Sequence, residues 1–243
     1  AVVTPPDAAP PPLRIRCFGN FRVTVGDRIV RDTEWSRRKP KRLLELVSSS
    51  PECTVTWDRV ADNLWPGLRI KEAHAGISRA LYEVRRLLGP GYVASAHDTI
   101  QLVPDSVGFV DVHAFADHIS AARQAERQLD HVRAEQEYLA AVSLYTGDFL
   151  ENDLYEEWTM APRDALAGEH ALALERLGLR RMDLEDYDGA RPYLERLLVI
   201  DATREDIHAA LITCLSRLGR RSQALAQYEA CADALKRELA LEP

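Results

Sequence analysis

The chain has 243 residues, 46% hydrophobic and 28% charged, a composition that fits folded domains and excludes a disordered or low-complexity chain. No apolar run approaches the roughly 20 residues of a membrane span, and no secretory leader is visible. The net charge of −7 is unevenly spread: residues 13–104 carry 16 Lys and Arg against 10 Asp and Glu, a net of +6, and residues 105–243 carry 15 against 27, a net of −12. The first part therefore suits a polyanion, and the second would repel one.

Residues 1–12, rich in Pro and Ala, read as an extended linker. Residues 13–18 and 21–25 alternate in the manner of strands, and Gly26-Asp27 reads as a hairpin turn into residues 28–30. Three helices are expected next. The first covers residues 39–47, with Leu43, Leu44, Leu46 and Val47 inward and Pro40 in the first turn, where its missing N–H matters least. Ser48-Ser49-Ser50-Pro51 ends it. The second covers residues 57–64, with Thr56 as N-cap and Asp58 as the competing choice.

The third helix covers residues 69–88. At 100° per residue, Ile70, Ala73, Ile77, Ala80, Leu81, Val84, Leu87 and Leu88 form a core side. Lys71, Ala75, Ser78, Arg79, Tyr82 and Arg86 form the opposite side. The small residues Ala75, Gly76 and Ser78 permit close approach to another surface, and Arg79 and Arg86 suit base edges or phosphates. The competing reading is a solvated basic face. Gly89-Pro90-Gly91 stops the helix. Residues 92–94 and 99–102 then read as a hairpin with His97 at its tip.

Sheet, three helices and hairpin make a winged helix-turn-helix with an N-terminal antiparallel sheet, so the fold class is mainly α with a small β component. The six residues Arg37-Arg38-Lys39-Pro40-Lys41-Arg42 sit where the first helix starts. Their cations oppose the helix dipole, and a DNA phosphate there would reverse the penalty; a solvated patch is the alternative. The phosphate set is thus Arg37, Arg38, Lys39, Lys41, Arg42, Lys71 and His97, and the groove set is Ala75, Ser78, Arg79, Tyr82 and Arg86.

From Val110 onward the pattern is helical. Ala190, Leu194 and Leu197 recur 34 positions later as Ala224, Tyr228 and Cys231, the period of a tetratricopeptide helix pair. Ala134, Tyr138 and Ala141 carry the same offsets 56 positions before the Ala190 set, which implies an insertion of 22 residues. Residues 147–158, with Phe149, Tyr155 and Trp158, belong to that insertion and read either as a plug between repeat helices or as a partner surface. The domains are therefore a linker at 1–12, a winged helix at 13–104 and a tetratricopeptide-like domain at 105–243.

Cys17, Cys53, Cys214 and Cys231 have neither metal-ligand spacing nor a disulfide pattern, which fits reduced thiols in the cytoplasm. There is no Gly-rich phosphate loop, GxSxG elbow, HExxH set or Cys/His nucleophile pair, so neither enzyme activity nor a metal or other cofactor is expected.

The chain resembles the antibiotic regulatory protein (SARP) family, a winged helix joined to a bacterial transcriptional activator domain. The likeness is carried by Leu13-Arg14-Ile15-Arg16-Cys17-Phe18-Gly19, Trp35 with Arg38-Lys39, Leu43-Leu44, Leu64-Trp65-Pro66, and Ala73 with Ile77, Leu81 and Val84-Arg85-Arg86-Leu87-Leu88. Val110-Asp111-Val112 with Phe115, Tyr145-Thr146-Gly147-Asp148-Phe149-Leu150, Gly219 with Gln223-Ala224-Leu225, and the final 238–243 stretch extend it across the rest. Ala75 stands where such proteins often have Asn, Tyr82-Glu83 where they often have Ser-Arg, and Pro40 where a small helix former is usual. Base preference therefore does not transfer, and Glu83 either turns aside or accepts from a cytosine amine.

The resemblance implies a transcription activator that binds direct repeats in double-stranded promoter DNA, as a homodimer or side-by-side pair, and recruits RNA polymerase holoenzyme. It also implies additional domains in the full-length protein, consistent with a first residue that is not Met and a stop at Glu242-Pro243. The alternative is a tetratricopeptide-type interaction or signal-sensing module that does not bind DNA.

Overall fold

The structure, a computed structural model, describes residues 10–96, 98–153 and 155–239. It divides into two packing units: residues 10–114 with 146–163, and residues 115–145 with the chain from Asp164 onward.

In the first unit, β1 (Leu13–Arg16), β2 (Arg22–Val25) and β3 (Arg28–Val30) are antiparallel neighbours. A strand absent from the sequence reading, β7 (Val107–Val110), pairs parallel with β1 and completes the order β3-β2-β1-β7. The helices are α1 (Arg38–Ser49), α2 (Trp57–Leu64) and α3 (Ile70–Leu88). The hairpin of β5 (Val93–Ala96) and β6 (Thr99–Leu102) takes a third strand, β4 (Thr54–Thr56), along β6. Leu13, Ile15, Val23 and Val30 point inward from the larger sheet, and Leu43, Leu44, Leu64, Ile77 and Leu81 fill the helical side of the core.

The first strand ends at Arg16 rather than at residue 18 because a carboxylate replaces the ladder. Buried Asp111 accepts the Cys17 N–H at 2.8 Å and the Phe18 N–H at 3.0 Å. Burial foremost raises the Asp111 carboxyl above its ordinary range, and the Phe18, Cys17 and Val112 N–H groups oppose that rise.

The aromatic insertion does not plug the space between repeat helices; Phe149 and its neighbours join the first unit. Phe149 forms an antiparallel bridge with Phe18, the Gly19 N–H donates to the Asp148 carbonyl at 2.8 Å, and the Leu150 N–H donates to the Cys17 carbonyl at 2.9 Å. Phe149 and Leu150 are buried in the first unit. Tyr155, by contrast, is exposed. The insertion also carries five carboxylates into this unit, which then holds 17 basic and 17 acidic residues. The +6 of residues 13–104 is thus not the charge of a packing unit, and basic character resides in local faces.

The second unit is helical: α4 (Asp111–Arg127, entering from the first unit), α5 (His131–Leu144), α6 (Glu157–Asp183, likewise), α7 (Tyr187–Ile200), α8 (Glu205–Arg217) and α9 (Arg221–Leu239). Ala134, Tyr138, Ala141, Ala190, Leu194, Leu197, Ala224 and Cys231 are buried as the repeat requires. Tyr228 is the exception at 57% exposed, because no described helix follows α9 to cover that face. A second signature repeats with the same offsets. Leu129, Glu185 and Gly219 all take positive φ (60°, 60° and 71°), and Asp130 and Asp186 cap the helices that follow.

Candidate nucleic-acid interface

The helix-turn-helix is built on a few side-chain locks. Thr56 caps α2 by accepting the Arg59 N–H at 3.3 Å, as the sequence suggested. Trp65 closes α2 and lies against α3 at Gly76, where an added Cβ would sit 2.7 Å from the indole Nε1. Gly76 therefore serves close approach inside the protein. The Lys39 ammonium donates to the Leu64 carbonyl and stands 5.5 Å from the Trp65 ring centroid. The Trp57 and His74 rings meet edge-on with centroids 5.0 Å apart, a second lock between α2 and α3.

The far end of α3 is tied down by two arginines. Arg28 donates to the Leu87 carbonyl at 2.7 Å, and Arg85 donates to the Val93 carbonyl of β5 at 3.0 Å. Cations at a helix C-terminus are favourable to its dipole, so these anchors fix both the helix and the hairpin.

With α3 held on Ala73, Ile77, Ala80, Leu81, Val84 and Leu88, its outer face presents Lys71, Ala75, Ser78, Arg79, Tyr82 and Arg86, all exposed. Ile70 departs from the expected core side: it is 71% exposed, because it opens the helix one turn before the packing begins at Ala73. Leu87 is half-buried. Glu83 turns aside within the protein. It accepts from the Ser36 hydroxyl at 3.0 Å and from Arg86 at 2.9 Å. The Arg86 bond foremost, then Ser36, holds the Glu83 carboxyl below its ordinary range. Ser36 gave no sequence signal, because the partner lies 47 residues away.

The basic run divides. Arg37 occupies the N-cap position of α1 and Arg38 its first turn, and both are exposed. Arg37, Lys39, Trp65, Gly76, Arg79 and Glu83 line one depression of about 160 Å3, so three of the sequence-selected cations converge there. Burial foremost, and then the charge of Arg42, pulls the Lys39 ammonium below its ordinary value. Lys41 pairs with Asp32 at 2.8 Å. Arg42 is engaged by Asp153 at 2.9 Å and Glu156 at 2.6 Å, joining α1 to the inserted segment. Next to it Glu45 is fully buried; burial foremost, and then the charge of Asp153, pushes its carboxyl up to about 8. His97 lies outside the described residues.

Among the described residues no group of three or more His, Cys, Asp or Glu is arranged to hold a metal ion. No described helix is long and apolar enough to cross a membrane. Chemically, the arrangement offers a rigid helix with exposed hydrogen-bond donors and a basic depression beside it.

Residues 110–243, more than half of the chain, match the bacterial transcriptional activator domain family. Among curated proteins none matches. The structure is similar to that of Mycobacterium tuberculosis EmbR, solved in complex with a low-affinity phosphopeptide. The similarity has a TM-score of 0.75 at 21% identity and covers 95% of this chain and 62% of that one. The chain thus spans less than two thirds of the length of the solved protein, and the likeness shows the shared fold.

Proposed function

The chain belongs to the bacterial transcriptional activator domain family, and we propose that it is a transcription activator of the SARP type that binds promoter direct repeats with α3 in the major groove and recruits RNA polymerase. The observation that supports this most is the outer face of α3. Its residues Lys71, Ala75, Ser78, Arg79, Tyr82 and Arg86 are small or are donors, the exposed Glu72 beside them is paired with Arg69, and a packed inner face and two arginine anchors keep the helix rigid. A major groove about 12 Å wide admits such a helix.

Arg79 and Arg86 contact base edges, with Ser78 and Tyr82 beside them and Ala75 admitting the helix closely. Arg37, Arg38 and Lys71 hold phosphates, with Lys39 contributing from the shared depression. Lys41 and Arg42 act mainly within the protein, through Asp32 and through Asp153 and Glu156. The winged helix is built on residues 13–104 and completed by 105–114 and 146–163, and the rest of 105–243 forms the tetratricopeptide-like domain. The helical domain supports pairing or polymerase contact, and the protein works in the cytoplasm, where promoters are.

The test is selection of a double-stranded promoter library by the purified chain. Enrichment of a repeated motif at moderate salt is the expected result, with an affinity that falls steeply as salt rises. Failure to enrich any sequence, alongside capture of a protein through the helical domain, would favour the interaction-module reading instead.

A further inference from the structure

A second basic surface lies on the larger sheet, away from α3. Strand alternation puts Arg14 and Arg16 of β1, Arg22 and Thr24 of β2, Ile29 of β3 and Phe109 of β7 on the side opposite the buried Leu13, Ile15, Val23 and Val30. The register makes a row Ile29–Thr24–Arg14–Phe109 and, beside it, sets Arg16 directly opposite Arg22. Together these side chains line a depression of about 370 Å3. Among the described residues none of the three guanidiniums has an ion pair. Arg14 stands 6.0 Å from the Phe109 ring centroid. Glu151, which lines an adjoining hollow, already accepts the Asp148 N–H at 3.0 Å, and the buried Asp111, on which the charge of Arg16 acts, is taken by the Cys17, Phe18 and Val112 N–H groups.

Like charges directly opposite one another destabilise a sheet. A unit with as many acids as bases has placed none of its acids on this row. That arrangement is explained by an acidic occupant with an apolar part.

The chain itself carries such a surface. The last residue of α6 and the turn that follows it read Asp183-Leu184-Glu185, with both carboxylates exposed and Leu184 51% exposed. Neither Asp183 nor Glu185 has an ion pair among the described residues, since Arg181 is taken by Glu135 and Asp186. The negative end of the 27-residue helix α6 lies at the same place, so a cation is favoured there. The unit that bears this turn has 20 acidic and 14 basic residues, a net of −6.

We propose that the arginine face of the sheet docks the α6–α7 turn of a second copy of the chain, with Leu184 on the Ile29–Phe109 row and Asp183 and Glu185 paired to Arg14, Arg16 and Arg22. The two surfaces differ, so the contact is head-to-tail and each copy repeats the orientation of the last. Direct repeats impose the same arrangement and limit the number of copies. The docking rests on the DNA reading above only for that setting.

Two measurements on the full chain separate this from the DNA reading. On DNA, affinities are compared for fragments with one selected site and with two. The two-site fragment is expected to bind about tenfold tighter per site. Arg16→Glu with Arg22→Glu abolishes that gain and leaves one-site affinity unchanged; Asp183→Lys with Glu185→Lys does the same; all four together restore it. Each double variant keeps its fold, since these side chains are exposed, and a thermal melt verifies it. An equal loss on one-site and two-site fragments would make the face a DNA contact and overturn the proposal. So would cooperativity that survives either reversal.

Off DNA, sedimentation velocity at low salt is expected to show self-association that either reversal removes and the combination restores. If no DNA site exists at all, this arm alone decides. Association indifferent to both reversals, or none at concentrations of order 0.1 mM, sinks the docking on its own terms.

Discussion

At the scale of single residues, neighbouring cations on one helix and beside it have different tasks. Arg79 is exposed on α3 and Arg42 is held by two carboxylates, so their alanine variants separate. Arg79→Ala is expected to weaken binding to the selected site by roughly 1–3 kcal/mol and relax preference at one position, with the melting temperature unchanged. Arg42→Ala leaves Asp153 and Glu156 facing each other beside buried Glu45, so its expected effect is lower stability with base preference intact. Competition binding and thermal melts read the two outcomes. Glu45 gives a pH prediction of definite sign. Its carboxyl titrates near 8 in the folded chain, against an ordinary value of 4.5. The folded state therefore binds more protons between these values, and the stabilising proton is lost as pH rises through 8. Wild type should lose stability relative to Glu45→Gln between pH 5 and pH 9, by on the order of 4 kcal/mol before relaxation. A difference between the two proteins that stays flat with pH would remove Glu45 from this role.

At the scale of elements, turn and helix chemistry decides what the sequence discloses. The second and third helices are plain in it, because Thr56 caps one and Gly89-Pro90-Gly91 ends the other. The exposed side of α3 follows from the wheel at every one of its six residues, although its core side extends one residue too far, to Ile70. Strands β4 and β7 are invisible for a physical reason. Each has three or four residues, and β7 carries Gly108 in its middle, so pairing with distant partners, not local pattern, makes them strands. The role of Glu83 was open for the same reason. Its carboxylate is directed by Ser36, which belongs to another element. Gly76 shows the opposite case, a glycine whose need comes from a ring: Gly76→Ala should cost about 1–3 kcal/mol, as overpacking does, and shift α3 against Trp65. Gly219 needs its glycine for conformation alone, since an added Cβ there meets nothing within 4 Å. Gly219→Ala is therefore expected to cost about 1–2 kcal/mol through the positive φ, read by denaturant melts, and a neutral result would mean that the turn relaxes.

At the scale of the whole molecule, chain order and packing order part company. A winged helix cut at residue 104 follows the sequence pattern, yet it lacks three supports that arrive later. β7 pairs with β1, Asp111 accepts the N–H groups of Cys17 and Phe18, and Phe149 with Leu150 cover the end of that strand. Burying a large apolar side chain contributes about 1.5–3 kcal/mol, and hydrogen bonds to a charged acceptor about 1.5–3 kcal/mol each. The sum is comparable to the roughly 5–15 kcal/mol by which domains are stable at all. A 13–104 fragment is thus expected to unfold at a much lower temperature than the full chain, or not to fold. A longer fragment ending after Arg163 restores all three supports, although it also carries helices whose partners are missing. Circular dichroism melts of the two fragments, with Phe149→Ala in the full chain as the control, distinguish the cases. Should the shorter fragment melt cooperatively at the temperature of the full chain, the insertion would be a passenger on the winged helix. If it does not, the winged helix and the helical repeat domain cannot be exchanged by a cut at the end of the hairpin, because the segment 146–163 that completes the first unit leaves the chain from inside the second.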